Sequence, residues 1–118
     1  MGYFEIKVVL GGFYNQVAIG VTTDAFYPLS EFIGYQNNSV SYHGDDGKCY
    51  INGHSFTYGP KFGSSDAVGC GVTTHGNVYF TYNGMLLPKI KFEELGNFYP
   101  AFSIRGKLTT VRFVSDQK

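Results

Sequence analysis

Asp45 and Asp46 stand side by side in Gly44-Asp45-Asp46-Gly47, and adjacent carboxylates invite two chemical readings, acid–base catalysis and a calcium loop. Glycosidase carboxylates face each other across a cleft rather than along the chain. An EF-hand loop needs carboxylates at alternate positions and a distant bidentate Glu. Asp and Gly are also what a tight turn asks for, and the turn is the better reading. His43, Cys49, His54, Cys70 and His75 are zinc-ligand types, but no close Cys–Cys or His–His pairing organises them. No metal site is therefore expected. A nucleophile needs a base and an orienting third group. The chain has no G-x-S-x-G elbow, no H-E-x-x-H pair and no phosphate-cradling loop ending in Lys-Ser or Lys-Thr. It reads as non-enzymatic, with no catalytic residue and no cofactor.

The chemistry that the composition favours is contact. Ten Tyr and eleven Phe dominate the apolar inventory, and there is no Trp. Tyr offers a large rigid surface with a polar tip and is enriched at interface centres. Tyr14, Tyr27, Tyr35, Tyr50 and Tyr58 lie in or beside loops and are the interface candidates, whereas alternation turns rings such as Tyr42 and Phe80 inward.

The elements that must position these residues are strands. Phe4, Ile6, Val8 and Leu10 alternate with polar residues, and so do Val17, Ile19 and Val21, the pair Val40 and Tyr42, and Val68, Cys70 and Val72. Gly69 and Gly71 share the other face of the last run, which implies close approach by large rings or another backbone. Asn83-Gly84 between apolar runs marks a type I′ hairpin. Asn52-Gly53, His75-Gly76-Asn77 and Gly44–Gly47 are further turns. Tyr99–Ile104 and Leu108–Val114 read as a pair around Arg105-Gly106-Lys107. Eight to ten strands at this spacing suit a sandwich or a barrel, with helix limited to a turn at Phe92–Leu95. Phase places Phe4, Ile6, Val8, Val17, Ile19, Val40, Val68, Cys70, Val72, Phe80, Ile104, Val111 and Phe113 in the core. Cys49 reads as a loop thiol and Cys70 as a core thiol, both unbridged. From Thr23 to Asn38 the alternation stops. Phe32 and Ile33 are expected to plug the core from this long segment, with Tyr27 and Leu29 nearer its rim.

Nine basic and nine acidic side chains cancel, so the basic excess of a nucleic-acid binder is missing. No run approaches a membrane span, and no basic start leads into a signal-peptide core. The expected setting is cytoplasmic or nuclear. The 118 residues form one domain, with no linker or repeat to divide them.

Several segments, in order, resemble the SPRY family. Tyr3-Phe4-Glu5-Ile6-Lys7-Val8 is similar to its opening strand, and Ala18-Ile19-Gly20-Val21 to the strand after it. Ser39-Val40-Ser41-Tyr42-His43-Gly44-Asp45-Asp46-Gly47 and Tyr58-Gly59-Pro60-Lys61-Phe62 resemble the branch around Ran-binding protein M. Asp66–Val72, Phe80–Gly84 and Phe98–Ser103 are similar to later family motifs. The chain departs in having Tyr35 after Gly34, where relatives often carry Trp, and in starting at Met1-Gly2 without the usual extra N-terminal strands.

The resemblance implies an all-β, bent antiparallel β-sandwich of the concanavalin-like, two-sheet kind, where alternation alone leaves sandwich and barrel open. It also implies a cofactor-free module that recognises a short peptide segment, as an adaptor or substrate-recognition domain of the kind found in ubiquitin-ligase assemblies. A lectin-like sandwich that binds carbohydrate is the alternative. By the same resemblance, the segment ahead of Gly34 and the residues after Ser103 line the peptide pocket. With the loop tyrosines, the partner-binding set is Tyr27, Leu29, Phe32, Tyr35, Tyr50, Tyr58, Arg105 and Lys107. Arg105 offers donors suited to an acidic or carboxylate-bearing peptide. Without those strands, Tyr3–Leu10 or its neighbour is expected to show an unpaired edge or an exposed apolar face, which favours weak self-association.

Overall fold

The alternating runs are strands throughout the described residues, which are 2–12, 14–23, 32–35, 37–92, 98–105 and 109–115 of a computed structural model. In chain order these are β1 Gly2–Gly11, β2 Val17–Thr22, β3 Ser39–His43, β4 Lys48–Ile51, β5 His54–Thr57 and β6 Ala67–Val72. They are followed by β7 Asn77–Tyr82, β8 Met85–Leu86, β9 Ile90–Lys91, β10 Tyr99–Ile104 and β11 Thr109–Ser115. No helix occurs among the described residues, and the turn expected at Phe92–Leu95 lies outside them beyond Phe92. Two antiparallel sheets result. One has the order β11-β1-β6-β7-β8 with β9 beside β7, and the other the order β10-β2-β3-β4-β5. The sandwich reading holds over the barrel.

Turn chemistry sets the hairpins. Asn83 and Gly84 have φ of 48° and 85°, and Asn52 and Gly53 have 52° and 87°. A type I′ turn needs positive φ at both central residues, which Asn-Gly supplies with little strain.

The inner faces of the two sheets meet in a single core. It takes Phe4, Ile6 and Val8 from β1, Val17, Ile19 and Val21 from β2, Val40 and Tyr42 from β3, and Val68, Cys70, Val78 and Phe80 from β6 and β7. On the other face of β6 the Tyr3 and Tyr79 rings lie stacked, 6.1 Å apart at 12°. A Cβ on Gly69 would stand 2.0 Å from the Tyr3 hydroxyl, and one on Gly71 2.3 Å from Tyr79 Cζ. The paired glycines therefore make room for rings.

Four expectations change. Cys49 is fully buried in β4 and is a core thiol like Cys70, because β4 continues the alternation of β3; both cysteines are free. The strands flanking Arg105 do not pair with each other: β10 pairs with β2 and β11 with β1, so the chain crosses between sheets there. Ile104 keeps the expected phase, opposite Val17, yet it is 45% exposed, because β10 is an edge strand and its inner face is left open. Val111 is partly buried against the core, and the Phe113 side chain lies outside the described set. Phe32 and Ile33 are buried as plugs, but they form a separate small cluster with Ala18 and Ala101 rather than joining the central core. That cluster covers the outer side of β2 and β3 at Ala18, Ser41 and His43, in strands whose residues are all buried. One face of these strands meets the other sheet, and Phe32–Gly34 lie on the opposite face at that end.

Candidate functional site

Ser41 and His43 alternate with the inward-facing Val40 and Tyr42 along β3, so their side chains share the outer face of the five-stranded sheet. Ala18 on β2 lies opposite His43, and Ser103 on β10 lies opposite Ala18, so the same face continues to the sheet edge. Phe32, Ile33 and Gly34 lie across this face. The Ile33 amide donates to Ser103 Oγ at 2.9 Å. Its carbonyl accepts from Ser41 Oγ and from His43 Nε2, both at 2.8 Å. Gly34 must be glycine: φ is 107°, and a Cβ would fall 2.0 Å from Ser41 Oγ.

A carbonyl only accepts, so His43 Nε2 carries the proton. Burial lowers the His43 pKa to about 4, which keeps the ring neutral near pH 7. Rings enclose it. Tyr50 stacks on the imidazole at 3.9 Å and 22°. Phe32 meets it edge-on at 5.0 Å, and Tyr35 approaches at 5.5 Å. The Tyr50 hydroxyl donates to Asp46 Oδ2 at 2.7 Å. Burial, and then this bond to a carboxylate, hold the phenol above its usual pKa, so it remains a donor. Asp46 Oδ1 accepts from the Lys48 amide at 2.9 Å, which closes the turn. Burial, followed by the neighbouring Asp46 charge, raises the Asp45 pKa.

His43, Asp45 and Asp46 bring possible ligand atoms within 4.8 Å of one another. Both Asp46 oxygens already accept hydrogen bonds and His43 Nε2 is committed to Ile33, so the turn accounts for this group. At the edge of the patch, Arg105 Cζ sits 4.8 Å from the centroid of the Phe32 ring. At an exposed site such a cation–π contact is worth about 0.5–1 kcal/mol and favours the guanidinium beside the ring. Tyr35 is 48% exposed and Arg105 is exposed, whereas Phe32 is buried. Among the described residues the arrangement is an aromatic floor with Arg105, the half-exposed Tyr35 ring and the carboxylate of Asp45 at its margin.

Of the residues expected from sequence, Phe32, Tyr35, Tyr50 and Arg105 come together here. Tyr58 does not. It packs against Tyr42, Phe80 and Phe56 beside the main core, and its hydroxyl donates to the Pro88 carbonyl. Tyr27, Leu29 and Lys107 lie outside the described residues. Sequence reasoning missed Ser41 and His43 as the scaffold of the patch. Alternation placed them on the outer face, but nothing local signalled that residues 32–34 would cover it.

Residues 2–117 match the family model described as the SPRY domain. The Ran-binding protein M homolog of Arabidopsis thaliana is 37% identical over 107 residues, covering 89% of this chain and 23% of that protein. Ran-binding protein 9 of Xenopus tropicalis is 36% identical over 116 residues, covering 94% and 21%. The chain thus spans less than a quarter of either relative. A crystal structure of a human SPRY domain superposes with a TM-score of 0.89 at 28% identity, covering 95% of this chain and 74% of that one.

Proposed function

Because this chain belongs to the SPRY domain family of non-catalytic protein-interaction modules, we propose that it captures a short acidic or carboxylate-bearing segment of a partner protein on the Phe32–Arg105 patch. The observation that carries this reading is the placement of Arg105, exposed yet held over Phe32 beside the half-exposed Tyr35. A guanidinium beside a ring keeps a planar fork of donors that suits a carboxylate. Tyr27, Leu29 and Lys107 extend the contact surface on sequence grounds, with Tyr50 as its support. Family membership takes the place of the lectin alternative.

The role is that of an adaptor or substrate-recognition domain, with a ubiquitin-ligase assembly as the setting and the cytoplasm or nucleus as the compartment. Among the described residues no helix is long and apolar enough to cross a membrane. The chain also self-associates weakly through an exposed sheet edge in this reading. Affinity capture from cell extract with mass spectrometry identifies the partner, and peptide titration then tests the site. Tyr27→Ala and Arg105→Ala each weaken binding by about 2 kcal/mol or more if they are hot spots. Lys107→Ala mainly slows association and changes its salt dependence. Unchanged affinity in folded Tyr27→Ala and Arg105→Ala moves the site to Tyr58 and its neighbours.

A further inference from the structure

Asn52-Gly53 reverses the chain between β4 and β5, and it also reaches back to the segment ahead of β3. The Asn52 amide donates to the Ser39 carbonyl at 3.0 Å, and its side-chain Oδ1 accepts from the Asn38 and Ser39 amides. Asn38 has φ of 66°, and a left-handed residue in a turn aims successive N–H groups at one oxygen, a small nest for negative charge. The next residue holds the other end of the same segment. Gly53 N donates to the Gly34 carbonyl at 2.9 Å, and a Cβ on Gly53 would stand 2.9 Å from Tyr35 O. One dipeptide thus holds the chain at Gly34–Tyr35 and again at Asn38–Ser39.

Tyr35, the half-exposed ring of the patch, stands at the first of these holds. Its ring meets Tyr50 at 5.3 Å, His43 at 5.5 Å and Phe32 at 6.0 Å, each at an angle. Such ring contacts are individually small, so the place of the ring depends on where the main chain puts it. Asn83-Gly84 has the same turn backbone, with φ of 48° and 85°, but no such second role. A Cβ on Gly84 would meet nothing within 4 Å, and the Asn83 side chain bonds Ala67 N and Asp66 Oδ1 on the far sheet. The two turns separate making a hairpin from holding a distant segment.

We propose that Asn52 is the positioning residue for Tyr35: its side-chain oxygen fills the Asn38–Ser39 nest and so fixes the segment that sets the ring for a partner peptide. The placement of the ring belongs to the free chain. Only its use in capture rests on the patch reading above.

Three variants test this. Asn52→Gly keeps a turn that Gly-Gly also forms and removes the side-chain oxygen. The main-chain bonds from Thr23 N to Asn38 O and from residue 52 N to Ser39 O remain, so the variant is expected to fold. In the free chain, amide exchange at Asn38 and Ser39 should quicken by about tenfold, as the loss of a hydrogen bond implies. The Tyr35 ring-proton signals should move toward those of free tyrosine as the ring currents of Tyr50 and His43 fall away. Affinity for the tightest member of an array of synthetic acidic peptides should drop several-fold. Asn52→Asp keeps an acceptor for the same two amides and tolerates positive φ, so it should restore all three readouts. Asn83→Gly loses two side-chain hydrogen bonds in the equivalent turn and should change none of them, which separates positioning from a general loss of stability. Tyr35 signals that stay in place in Asn52→Gly, or that move equally in Asn83→Gly, overturn the proposal whatever the peptide does. Signals that move while peptide affinity holds, with Arg105→Ala still losing it, overturn the role in capture and leave the patch standing. Affinity unchanged in both Asn52→Gly and Arg105→Ala overturns the patch reading, and the role in capture with it.

Discussion

Acid should weaken this domain through His43. In the unfolded chain the imidazole titrates near its ordinary value of 6.5, whereas in the fold burial lowers it to about 4. Between these values the unfolded state binds more protons, so folding stability falls as pH falls. The contribution is fully present above about pH 6.5, is lost as pH drops toward about 4, and is flat below that. At about 1.4 kcal/mol for each pKa unit, the full loss is roughly 3 kcal/mol. The side chain is only 1% exposed, so little solvent screening reduces it. Asp46 and Arg105 act on His43 in opposite directions, and Asp45, with its raised pKa, titrates against the trend on acidification. His43→Gln isolates the term, since an amide N–H can still reach the Ile33 carbonyl but does not titrate. Urea unfolding of both chains at about pH 7 and about pH 4.5 should show the unmodified chain losing about 2–3 kcal/mol more than the variant. Equal losses would refute the buried neutral imidazole and with it the aromatic floor of the patch.

The remaining predictions concern the core and the segment that covers the patch. Phe80→Ala, which removes a fully buried ring, should cost about 3–5 kcal/mol in the same urea experiment; a harmless change would contradict the two-sheet core. Gly34→Ala should cost about 1–3 kcal/mol from the strained φ alone and lose affinity for a captured peptide, because Ser41 Oγ occupies the space of the new Cβ. Its unfolding midpoint and peptide affinity are read on the same sample, and an unchanged midpoint would mean that residues 32–34 do not lie where described.

Most of the fold was legible because period-two burial and Asn-Gly turns are local signals. Phe4, Ile6 and Val8 declare a face without reference to anything distant, and Asn83-Gly84 declares a hairpin by its backbone preference alone. Pairing partners are not local. Arg105-Gly106-Lys107 looks like a hairpin tip in sequence, but the strands on either side join different sheets. Ile104 shows the limit of phase, which gives the face a side chain takes but not whether anything covers that face. Cys49 was misplaced for the converse reason, since a four-residue strand between two turns carries too little alternation to announce itself. At the candidate site, loop aromatics and Arg105 were visible as residue types. The Ile33 carbonyl, which ties Ser41 and His43 together, is a main-chain group and leaves no mark in a sequence.

In the proposed complex a partner peptide lies on the outer face of the five-stranded sheet. Amide chemical-shift mapping of the isotopically labelled chain, titrated with the captured peptide, tests it most directly. The largest shifts are expected at Phe32–Tyr35, His43–Tyr50 and Ser103–Arg105, and they should vanish in Arg105→Ala. Shifts centred instead on Tyr58 and Phe56, or surviving undiminished in Arg105→Ala, would contradict it.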